Sequence, residues 1–495
     1  MTGKITAAAL LSLSSLLLSG CGGGGDDPVV IPPNQAPQFT SASSVSLVEN
    51  AALSYQATAS DANGDTLTYA IAGGPDAARF SITGGGLLNF LVTPDADNPA
   101  DADSNNIYEV TVSVSDGRTT ASLPLTVTVT NSREGIAVRR VFSGFSQPVS
   151  MAAIPGDTRL FVAESDGDIY YFDPATGTRT FYARVPPPPG INPSPTNYIV
   201  ASPDYASDGL LYVSTGFGVI YVKALVRANV EAGTPNNVVE VGNFQAGAPI
   251  NPPKDAGWMG FGPDGNLYLT TGGNYETANL VPHEDRNFTG KLVRIRRSPS
   301  PGATPQFSYE VAAKGLFGAS TATFSGNMLL IGDQGRGSGG DPGEINRFDI
   351  GGPLVSFGWP YFAGHTQLNS NPPPGLITPI LEIPTSAAPA AGGAPEPKSG
   401  GALILGPIYN GPIASLSGQL IFGGSGAAGR IWTIEASQLL GATSVLPYSA
   451  YALRSADFAP DAGTINAIRA FTATAGGRLF ILDGDGEIFE VVAGT

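Results

Sequence analysis

The chain is marked by short runs in which apolar and polar residues alternate, each introduced by a glycine turn. The run "SDGLLYVSTG" at 207–216 shows the pattern of a Gly turn, an alternating apolar segment and a small polar cluster. Alternation with a period of two predicts a strand that buries one face. Related runs return at 156–173, 263–273, 324–335, 416–434 and 475–491.

These repeats predict a propeller. One hairpin cannot bury its apolar face alone, but sheets stacked around an axis can. The copies lie mostly about 50–60 residues apart, with one longer gap near 340–416 that holds a Pro- and Ala-rich segment. We therefore predict a six-bladed β-propeller over residues 136–495, with a long loop in that gap. Five or seven blades are less favoured, because the other segments lack the motif.

Residues 36–132 form a separate unit with many turns. The stretch "SVSLVENAALSYQATAS" alternates as a strand, and "YEVTVSVSDGRTTASLPLTVTVTN" predicts a hairpin with a "DGR" turn. About seven short strands in a unit of this length are typical of a β-sandwich. The predicted fold class is therefore all-β, with an N-terminal β-sandwich followed by a six-bladed propeller.

The N-terminus carries a targeting signal. Lys4 precedes an apolar run that is too short to span a bilayer comfortably, and the run ends in "LSGC" at Cys21. This resembles the bacterial lipoprotein signal, which implies removal of residues 1–20 and lipid attachment to Cys21. Residues 21–35 are then a flexible tether, and Gly22 favours the outer membrane of the cell envelope. A soluble secreted protein with a chance Cys at the cleavage site is the alternative.

Composition and charge narrow the partners. The chain has 65 Gly and 42 Pro but only 13% charged residues, which favours an all-β protein with many turns. Its formal net charge of −16 would repel a phosphate backbone, so we expect no nucleic-acid partner. An acidic surface fits solubility outside the cytoplasm, cation binding, or both.

The acidic turns of the N-terminal unit are candidate calcium ligands, because calcium takes six to eight oxygen ligands. The candidates are Glu49, Asp61, Asn63, Asp65, Asp95, Asp97, Asp101, Asp103 and Asp116. The unit resembles the cadherin-like modules of bacterial surface proteins through "VEN", "ASDANGDTLTYAI" and "DADNPADADSNNIYEVTVSVSDG". We expect the turns to converge at one end of the sandwich and bind calcium. The alternative is that they are simply solvated, since Asp and Asn favour turns.

The propeller resembles the glucose/sorbosone dehydrogenase family, which includes the soluble PQQ-dependent sugar dehydrogenases. The resemblance covers nearly all of 140–492 and rests on stretches such as "FGPDGNLYLTTGG", "NFTGKLVRI" and "GDQGRGSGGDPGEINRFDIGGPLVSFGWPYFAG". It implies transfer of a hydride from a sugar to PQQ, with a His that precedes Pro-Asp as the general base.

The chain departs from that pattern at the implied site. Ser202 stands where the resemblance implies the His, and a hydroxyl has no useful basicity near neutral pH. Phe317-Gly318 replace an Arg-Asn pair, Ala427 or Ala428 replaces a basic residue, and Ala467 replaces an Arg. A charge-assisted hydrogen bond contributes about 1.5–3 kcal/mol, so three lost cations would weaken binding of the anionic PQQ by roughly 10³-fold or more.

Other polar residues could still reach a central cavity and hold a cofactor. They are Gln334, Arg336, Asp341, Lys398, Arg430 and Arg469, and the alternative is that they are turn and blade-edge groups. Two functions stay open at this point. One is a lipid-anchored protein with a degenerate propeller that binds a carbohydrate or protein ligand. The other is an active PQQ- and calcium-dependent aldose dehydrogenase with an atypical active site.

Overall fold

The structure is a computed structural model of the chain. It describes residues 33–187, 195–216, 219–234, 238–245, 257–273, 288–298, 306–335, 341–383, 403–426 and 429–494. The predicted signal and Cys21 lie outside the described residues, as do Arg336, Lys398, Ala427 and Ala428. Within the described part of the chain, no helix is both long and apolar enough to cross a bilayer.

The N-terminal unit is a sandwich of short strands, as predicted. The strands are β1 Gln38–Phe39, β2 Ser44–Val48, β3 Tyr55–Gln56, β4 Ala59–Ser60, β5 Thr68–Gly73, β6 Phe80–Ile82, β7 Leu87–Phe90, β8 Ile107–Ser115 and β9 Thr120–Thr130. One sheet has the order β2-β9-β8-β5 and the other β3-β7-β6, while β1 pairs with β4. Alternating residues of β8 and β9, such as Tyr108 and Val127, are buried between the sheets.

The two ends of β9 define the two ends of this sandwich. Strand β2 runs parallel to β9, with Ser44 opposite Thr126 and Val48 opposite Thr130, so residue 49 and the linker after residue 130 lie at one end. We call this the linker end. The β8–β9 turn at 116–119 lies at the other end, which we call the distal end. The 11 residues of β9 separate the two ends by about 33 Å.

The second unit is built of short antiparallel strands with little helix. The strands are β10 Ile136–Ser143, β11 Pro148–Ala153, β12 Leu160–Glu164, β13 Asp168–Asp173, β14 Thr178–Arg184, β15 Thr196–Ala201, β16 Leu210–Thr215, β17 Val219–Val226, β18 Val239–Gln245, β19 Met259–Phe261, β20 Leu267–Thr270, β21 Lys291–Arg297, β22 Phe307–Lys314, β23 Ala319–Ser325, β24 Met328–Asp333, β25 Gly343–Asp349, β26 Val355–Phe357, β27 Phe362–Ala363, β28 Thr366–Gln367, β29 Leu376–Ile377, β30 Leu381–Ile383, β31 Leu403–Ile408, β32 Gln419–Gly424, β33 Ile431–Glu435, β34 Ala452–Leu453, β35 Ile468–Ala473, β36 Leu479–Asp483 and β37 Glu487–Ala493. The short α-helices are α1 Tyr205–Asp208, α2 Arg227–Glu231 and α3 Ala436–Gly441. Single 3-10 turns occur at Ala77–Arg79, Arg133–Gly135, Ala414–Leu416 and Tyr448–Ala450.

The described strands of this unit form a closed ring of sheets, which confirms the predicted propeller. The sheets are β11 to β14, β15 to β18, β19-β20-β21-β22-β26-β29, β23-β24-β25-β30, β31 to β34, and β35-β36-β37-β10. Their first strands neighbour one another in the order β11, β15, β19, β23, β31, β35 and back to β11. The first strand of the unit, β10, closes the last sheet by pairing with the last strand, β37.

Apolar cores fill the contacts between neighbouring sheets. In the described residues, a separate buried cluster lies at each of the six contacts. Middle strands are therefore covered on both faces, and every residue of β16 is buried. Because each contact is a compact apolar layer, the sheets hold the loops at their ends in fixed positions.

Strand direction assigns every loop to one of two faces. The first strands of all sheets run in the same direction, and the following strands alternate in direction. The loops from second to third strand, and those from one sheet to the next, therefore lie on one face, which we call X. The loops from first to second strand lie on the opposite face, Y. A six-residue strand such as β16 separates the two faces by about 17 Å.

Candidate functional site

The loop between β24 and β25 forms part of a small pocket on face X. The pocket is lined by aromatic side chains, carboxylates and one amide: Phe317, Trp359, Phe362, Asp333, Asp341, Glu344 and Gln334. Its volume is about 10 Å³, which is about the room that one water molecule needs. Gln334 and Asp341, two of the residues predicted to face a central cavity, therefore lie together here.

Backbone contacts fix the carboxylate of Asp333 in this pocket. Asp333 ends β24 and is only 4% exposed. Its carboxylate accepts hydrogen bonds from the backbone N–H groups of Phe317, at 2.9 Å, and Gly318. These two residues occupy the position at which the sequence comparison expected an Arg-Asn pair. Their amides, rather than cationic side chains, therefore face the buried carboxylate.

Two aromatic rings cover the same pocket. The Phe317 and Trp359 ring centroids are 4.4 Å apart, and both residues are buried. Trp359 is brought here by β26, an inserted strand that runs parallel to β22, and its backbone N–H donates to the carbonyl of Gly315 at 3.1 Å. The insertion thus adds an aromatic wall that the repeat pattern of the sequence did not indicate.

The ionisable side chains among the described residues of the pocket lining are all acidic. Burial, followed by the nearby charge of Asp333, raises the pKa of Glu344 to about 8. The Glu344 carboxylate accepts from the backbone N–H of Gly364 and from Asn346 Nδ2 at 3.1 Å. None of the described residues that line the pocket is a lysine or an arginine.

The described residues of this pocket do not fit PQQ. PQQ is a tricarboxylate, and its anionic groups would meet the carboxylates of Asp333 and Asp341. Arg430 and Arg469, the other cofactor-binding candidates, also belong to face X, at the start of β33 and in β35. Neither lines the pocket. Arg336 lies outside the described residues.

The structure does not bring Ser202 to this site. Ser202 follows β15 in a first-to-second strand loop, so it lies on face Y, whereas Gln334 lies on face X. Its hydroxyl donates to Asp208 Oδ2 at 2.8 Å and accepts from the backbone N–H of Asp204 at 3.2 Å. Ser202 is 5% exposed and joins the two ends of a short helical turn. Its observed contacts are those of a turn residue.

The predicted calcium ligands fall into three groups rather than converging at one end of the sandwich. Asp61, Asn63, Asp65 and Asp116 belong to the distal end, where the Asn34 side chain donates to Asp116 at 2.8 Å and the Gln35 backbone N–H donates to Asn63. Glu49, Asp95 and Asp97 belong to the linker end, and their carboxylate oxygens lie within 4.8 Å of one another. Asp101 and Asp103 form a third group with Asn105.

The distal group presents carboxylate oxygens that have no hydrogen-bond partner among the described residues. Asp61 Oδ1 accepts from the backbone N–H groups of Asn63 and Asp65, which leaves Asp61 Oδ2 buried without a partner. Asp65 Oδ2 and Asn34 Oδ1 are also buried without partners. Hydrogen bonds from the Thr119 backbone, then from Asn34, hold the pKa of Asp116 well below its usual range.

The linker end continues into the propeller through residues that the sequence analysis missed. Arg454, from the loop between β34 and β35, reaches Asp97 at 2.8 Å and Glu134 at 2.7 Å, and it also pairs with Asp457. Asp97, Glu134 and Asp457 form a second carboxylate triad, again within 4.8 Å. No local pattern signals this triad, because its members are far apart in the sequence.

A third acidic triad lies on face X. Glu164 ends β12, and Asp166 and Asp168 belong to the "DGD" turn that leads into β13. Arg184 pairs with both aspartates, at 3.0 and 2.5 Å, and Arg179 approaches Glu164 at 3.4 Å. Two arginines therefore accompany these three carboxylates.

Comparisons with known proteins agree with this architecture. Residues 145–402 match the family model described as glucose/sorbosone dehydrogenase, and residues 34–130 match a bacterial Ig domain. A search of curated proteins finds no match. The sandwich that resembled a cadherin-like module is thus a bacterial Ig-like domain.

Solved structures share the propeller fold. A PQQ-bound aldose sugar dehydrogenase from Streptomyces coelicolor is 20% identical with a TM-score of 0.51, over 72% of this chain and 98% of that chain. A soluble aldose sugar dehydrogenase from Escherichia coli, in its apo-form, is 14% identical with a TM-score of 0.51, over 72% and 99%. A glucose dehydrogenase is 18% identical with a TM-score of 0.54, over 72% and 99%. With its family model matched over half of its length, this chain belongs to the glucose/sorbosone dehydrogenase family.

Proposed function

We propose that the propeller binds a carbohydrate at the β24–β25 pocket and does not oxidise a sugar with PQQ. We further propose that the Ig-like sandwich binds calcium at its distal end and that lipid on Cys21 holds the protein at the bacterial cell envelope. The observation that carries the first proposal is the pocket itself. It combines two aromatic rings in contact with several carboxyl groups and, in its described lining, no cation.

This combination suits a neutral, hydroxyl-rich ligand. Carboxylates accept hydrogen bonds from hydroxyl donors, and an aromatic face packs against the C–H surface of a sugar ring. Asp341 and Glu344 offer the acceptors, and Trp359 offers the aromatic surface. Because the pocket has a volume of only about 10 Å³, it admits one hydroxyl group while the rest of the sugar lies outside.

The same features oppose the dehydrogenase alternative. Binding PQQ would place its anionic groups against the carboxylates of Asp333 and Asp341, and like charges repel most strongly away from water. The dehydrogenase activity of the structural neighbours belongs to those proteins, which are no more than 20% identical to this chain. The shared fold alone does not transfer that activity.

The test of the propeller's function has two arms on the full chain. In the first arm, PQQ is titrated in the presence of calcium while intrinsic fluorescence is followed, and dye reduction is measured with a panel of aldoses. We expect neither PQQ binding nor turnover. Rapid dye reduction by the unmodified protein would establish the dehydrogenase instead.

The second arm screens the protein against an array of neutral glycans. We expect binding that Asp341→Asn weakens at least tenfold, since it replaces an acceptor in the pocket. Asp349→Asn is the matched control, because Asp349 is exposed at the end of β25 away from the pocket. Equal loss in both variants, or no glycan binding at all, would refute the proposed ligand class.

Calcium binding and the lipid anchor are tested separately. Asp61 Oδ2 and Asp65 Oδ2 support the distal-end site, because buried carboxylate oxygens without hydrogen bonds suit a hard cation. Asp61→Asn should abolish calorimetric heat from this site, and unchanged heat would contradict it. Cys21→Ser should remove label from a fatty-acid precursor and release the protein from membranes, whereas retained label would refute lipidation at Cys21.

A further inference from the structure

We propose that a second divalent cation of calcium type binds at the junction of the two domains, with Asp97, Glu134 and Asp457 as its carboxylate ligands. We call this set the junction triad. Asp97 comes from the sandwich, Glu134 from the linker and Asp457 from the propeller. The junction site shares no residue with the distal-end site of the proposed function, and it does not depend on that function.

The geometry of the junction triad suits a single ion. Each member offers a carboxylate oxygen within 4.8 Å of the oxygens offered by the other two. Oxygens that bind one calcium ion at 2.3–2.6 Å lie within about 5 Å of one another. Three separate segments of the chain thus converge on one point, and the site is incomplete unless the domains are docked.

The triad is buried, so bulk water does not neutralise its charge. Asp457 has a side chain with 0% exposure, Asp97 has 5% and Glu134 has 22%. Buried charges in proteins are paired or coordinate metals, because an isolated ion loses its hydration. The counter-charge must therefore lie within the junction itself.

Arg454 supplies only part of that counter-charge. Its single guanidinium lies 2.8 Å from Asp97 Oδ2 and 2.7 Å from Glu134 Oε2, and it also contacts Asp457. The Arg133 guanidinium also lies at the junction, but it donates to the backbone carbonyl of Asp457 rather than to a carboxylate. One ion-paired positive charge therefore faces three carboxylates. Glu49 and Asp95 add two more carboxylates next to Asp97. The remaining negative charge requires a further positive charge at the junction, which either a bound proton or a metal ion would supply.

Unpartnered oxygens give an observation independent of this charge count. Asp457 Oδ1 is fully buried and has no hydrogen-bond partner among the described residues, although Oδ2 of the same carboxylate pairs with Arg454. Asp97 Oδ1 accepts from Asn131 and Oδ2 pairs with Arg454, while the Asp97 and Asp457 side chains also contact each other. Two ionised carboxylates in contact offer each other no donor. A buried acceptor without a donor is costly, and a cation relieves that cost.

The propeller side of the site is held in place before any ion binds. The Arg133 guanidinium donates to the backbone carbonyl of Asp457, with Nη2 at 3.1 Å, and to that of Ala459. The Arg454 backbone N–H donates to the carbonyl of Ile431 at 2.8 Å. A ligand that binds only the docked state stabilises that state by mass action. Calcium at the junction would therefore fasten the sandwich to the propeller.

The experiment counts calcium ions bound to the full chain by equilibrium dialysis. We expect Asp457→Asn to bind one ion fewer than the unmodified protein, or to bind it at least tenfold more weakly. Glu134→Gln should have the same effect. Glu134 is less buried than Asp457, so this variant keeps the test valid if Asp457→Asn fails to fold. Asp461→Asn is the matched control, because this exposed residue of the same segment lies outside the junction triad and its side chain accepts from the Arg140 backbone N–H.

A second measurement follows protease cleavage within 131–136, with and without calcium. Calcium should slow cleavage of the unmodified protein and of Asp61→Asn, but not of Asp457→Asn. Asp61→Asn removes only the distal-end site, so failure of that site and failure of the junction site give different results. The junction site is overturned if Asp457→Asn and Glu134→Gln both fold and bind as many ions, with the same affinity, as the unmodified chain. Arg454 and bound protons would then suffice to neutralise the triad.

Discussion

Arg454 makes the most direct prediction about stability, because its guanidinium is the one described cation that contacts all three members of the junction triad. Replacing it by Met keeps most of the aliphatic stem and removes the charge. The side chain is 7% exposed, so water cannot replace the lost partner for Asp97 and Asp457. Removing one partner of a buried ion pair costs about 3–5 kcal/mol. We expect Arg454→Met to lower the free energy of unfolding by about that amount.

Urea unfolding with tryptophan fluorescence measures this loss. The three tryptophans of the chain, Trp258, Trp359 and Trp432, all lie in the propeller, so the signal reports that domain. Calcium is removed with a chelator, so that only the effect of the guanidinium is compared. Faster protease cleavage of the linker should accompany the loss, because the linker residue Glu134 loses its ion pair and keeps only the hydrogen bond from Asn50 among its described side-chain contacts.

Arg139→Met is the matched control for this measurement. Arg139 pairs with Glu490 at 2.5 Å, but the Arg139 side chain is 55% exposed and Glu490 keeps a second partner, Arg478, at 2.7 Å. An exposed pair of this kind contributes about 0–1 kcal/mol. If Arg454→Met also cost less than about 1 kcal/mol, the junction carboxylates would not depend on Arg454 and the reasoning would be refuted.

Three further changes have expected outcomes. The folded pKa of Glu344, about 8, lies above its ordinary value of about 4.3, so its contribution to stability is complete below about pH 4 and is lost as pH rises through 8. Urea unfolding across this range should show that the free energy of unfolding declines by at most about 1.4 kcal/mol per pH unit. Glu344→Gln should flatten this decline, and an unchanged slope in the variant would contradict the raised pKa. Ser202→Ala removes the hydrogen bond to Asp208 and should cost about 1 kcal/mol in thermal unfolding, while glycan binding stays unchanged because Ser202 lies on face Y. The Trp432 ring is fully buried and stacks on Phe422, with ring centroids 5.6 Å apart. Trp432→Ala should therefore leave a cavity and cost about 3–5 kcal/mol in the same assay. A cost below about 1 kcal/mol would mean that the surrounding side chains close the cavity.

The propeller was predictable because its repeats are local. A Gly turn followed by an alternating apolar run specifies a hairpin, and a hairpin with apolar faces requires neighbours. The closure of the ring was not predictable in this way. Strand β10 pairs with β37, from Ile136 opposite Ala493 to Ser143 opposite Glu487, and no local pattern specifies a partner at that separation. The inserted strand β26, which brings Trp359 to the pocket, also interrupts the repeat.

The calcium ligands show a different limit of sequence reasoning. Asp and Asn at turns identify candidate oxygens, but turns at both ends of a sandwich look alike in a sequence. The 11 residues of β9 keep Asp116 about 33 Å from the linker end, so the candidates cannot form one site. Asp457 could not be found at all, because its partner Asp97 belongs to another domain.

Ser202 shows why a matched motif does not by itself locate an active site. The motif identifies a blade hairpin, but the kind of connection decides which face its turn occupies. Ser202 lies in a first-to-second strand connection, and Gln334 lies in a second-to-third strand connection, so antiparallel pairing places the two residues on opposite faces. No substitution at Ser202 can then supply a base to the β24–β25 pocket. The case against PQQ turnover therefore depends on the pocket and not on the absence of a histidine at residue 202. In the pocket Asp333 accepts from Phe317, and burial, followed by the charge of Asp333, raises the pKa of Glu344.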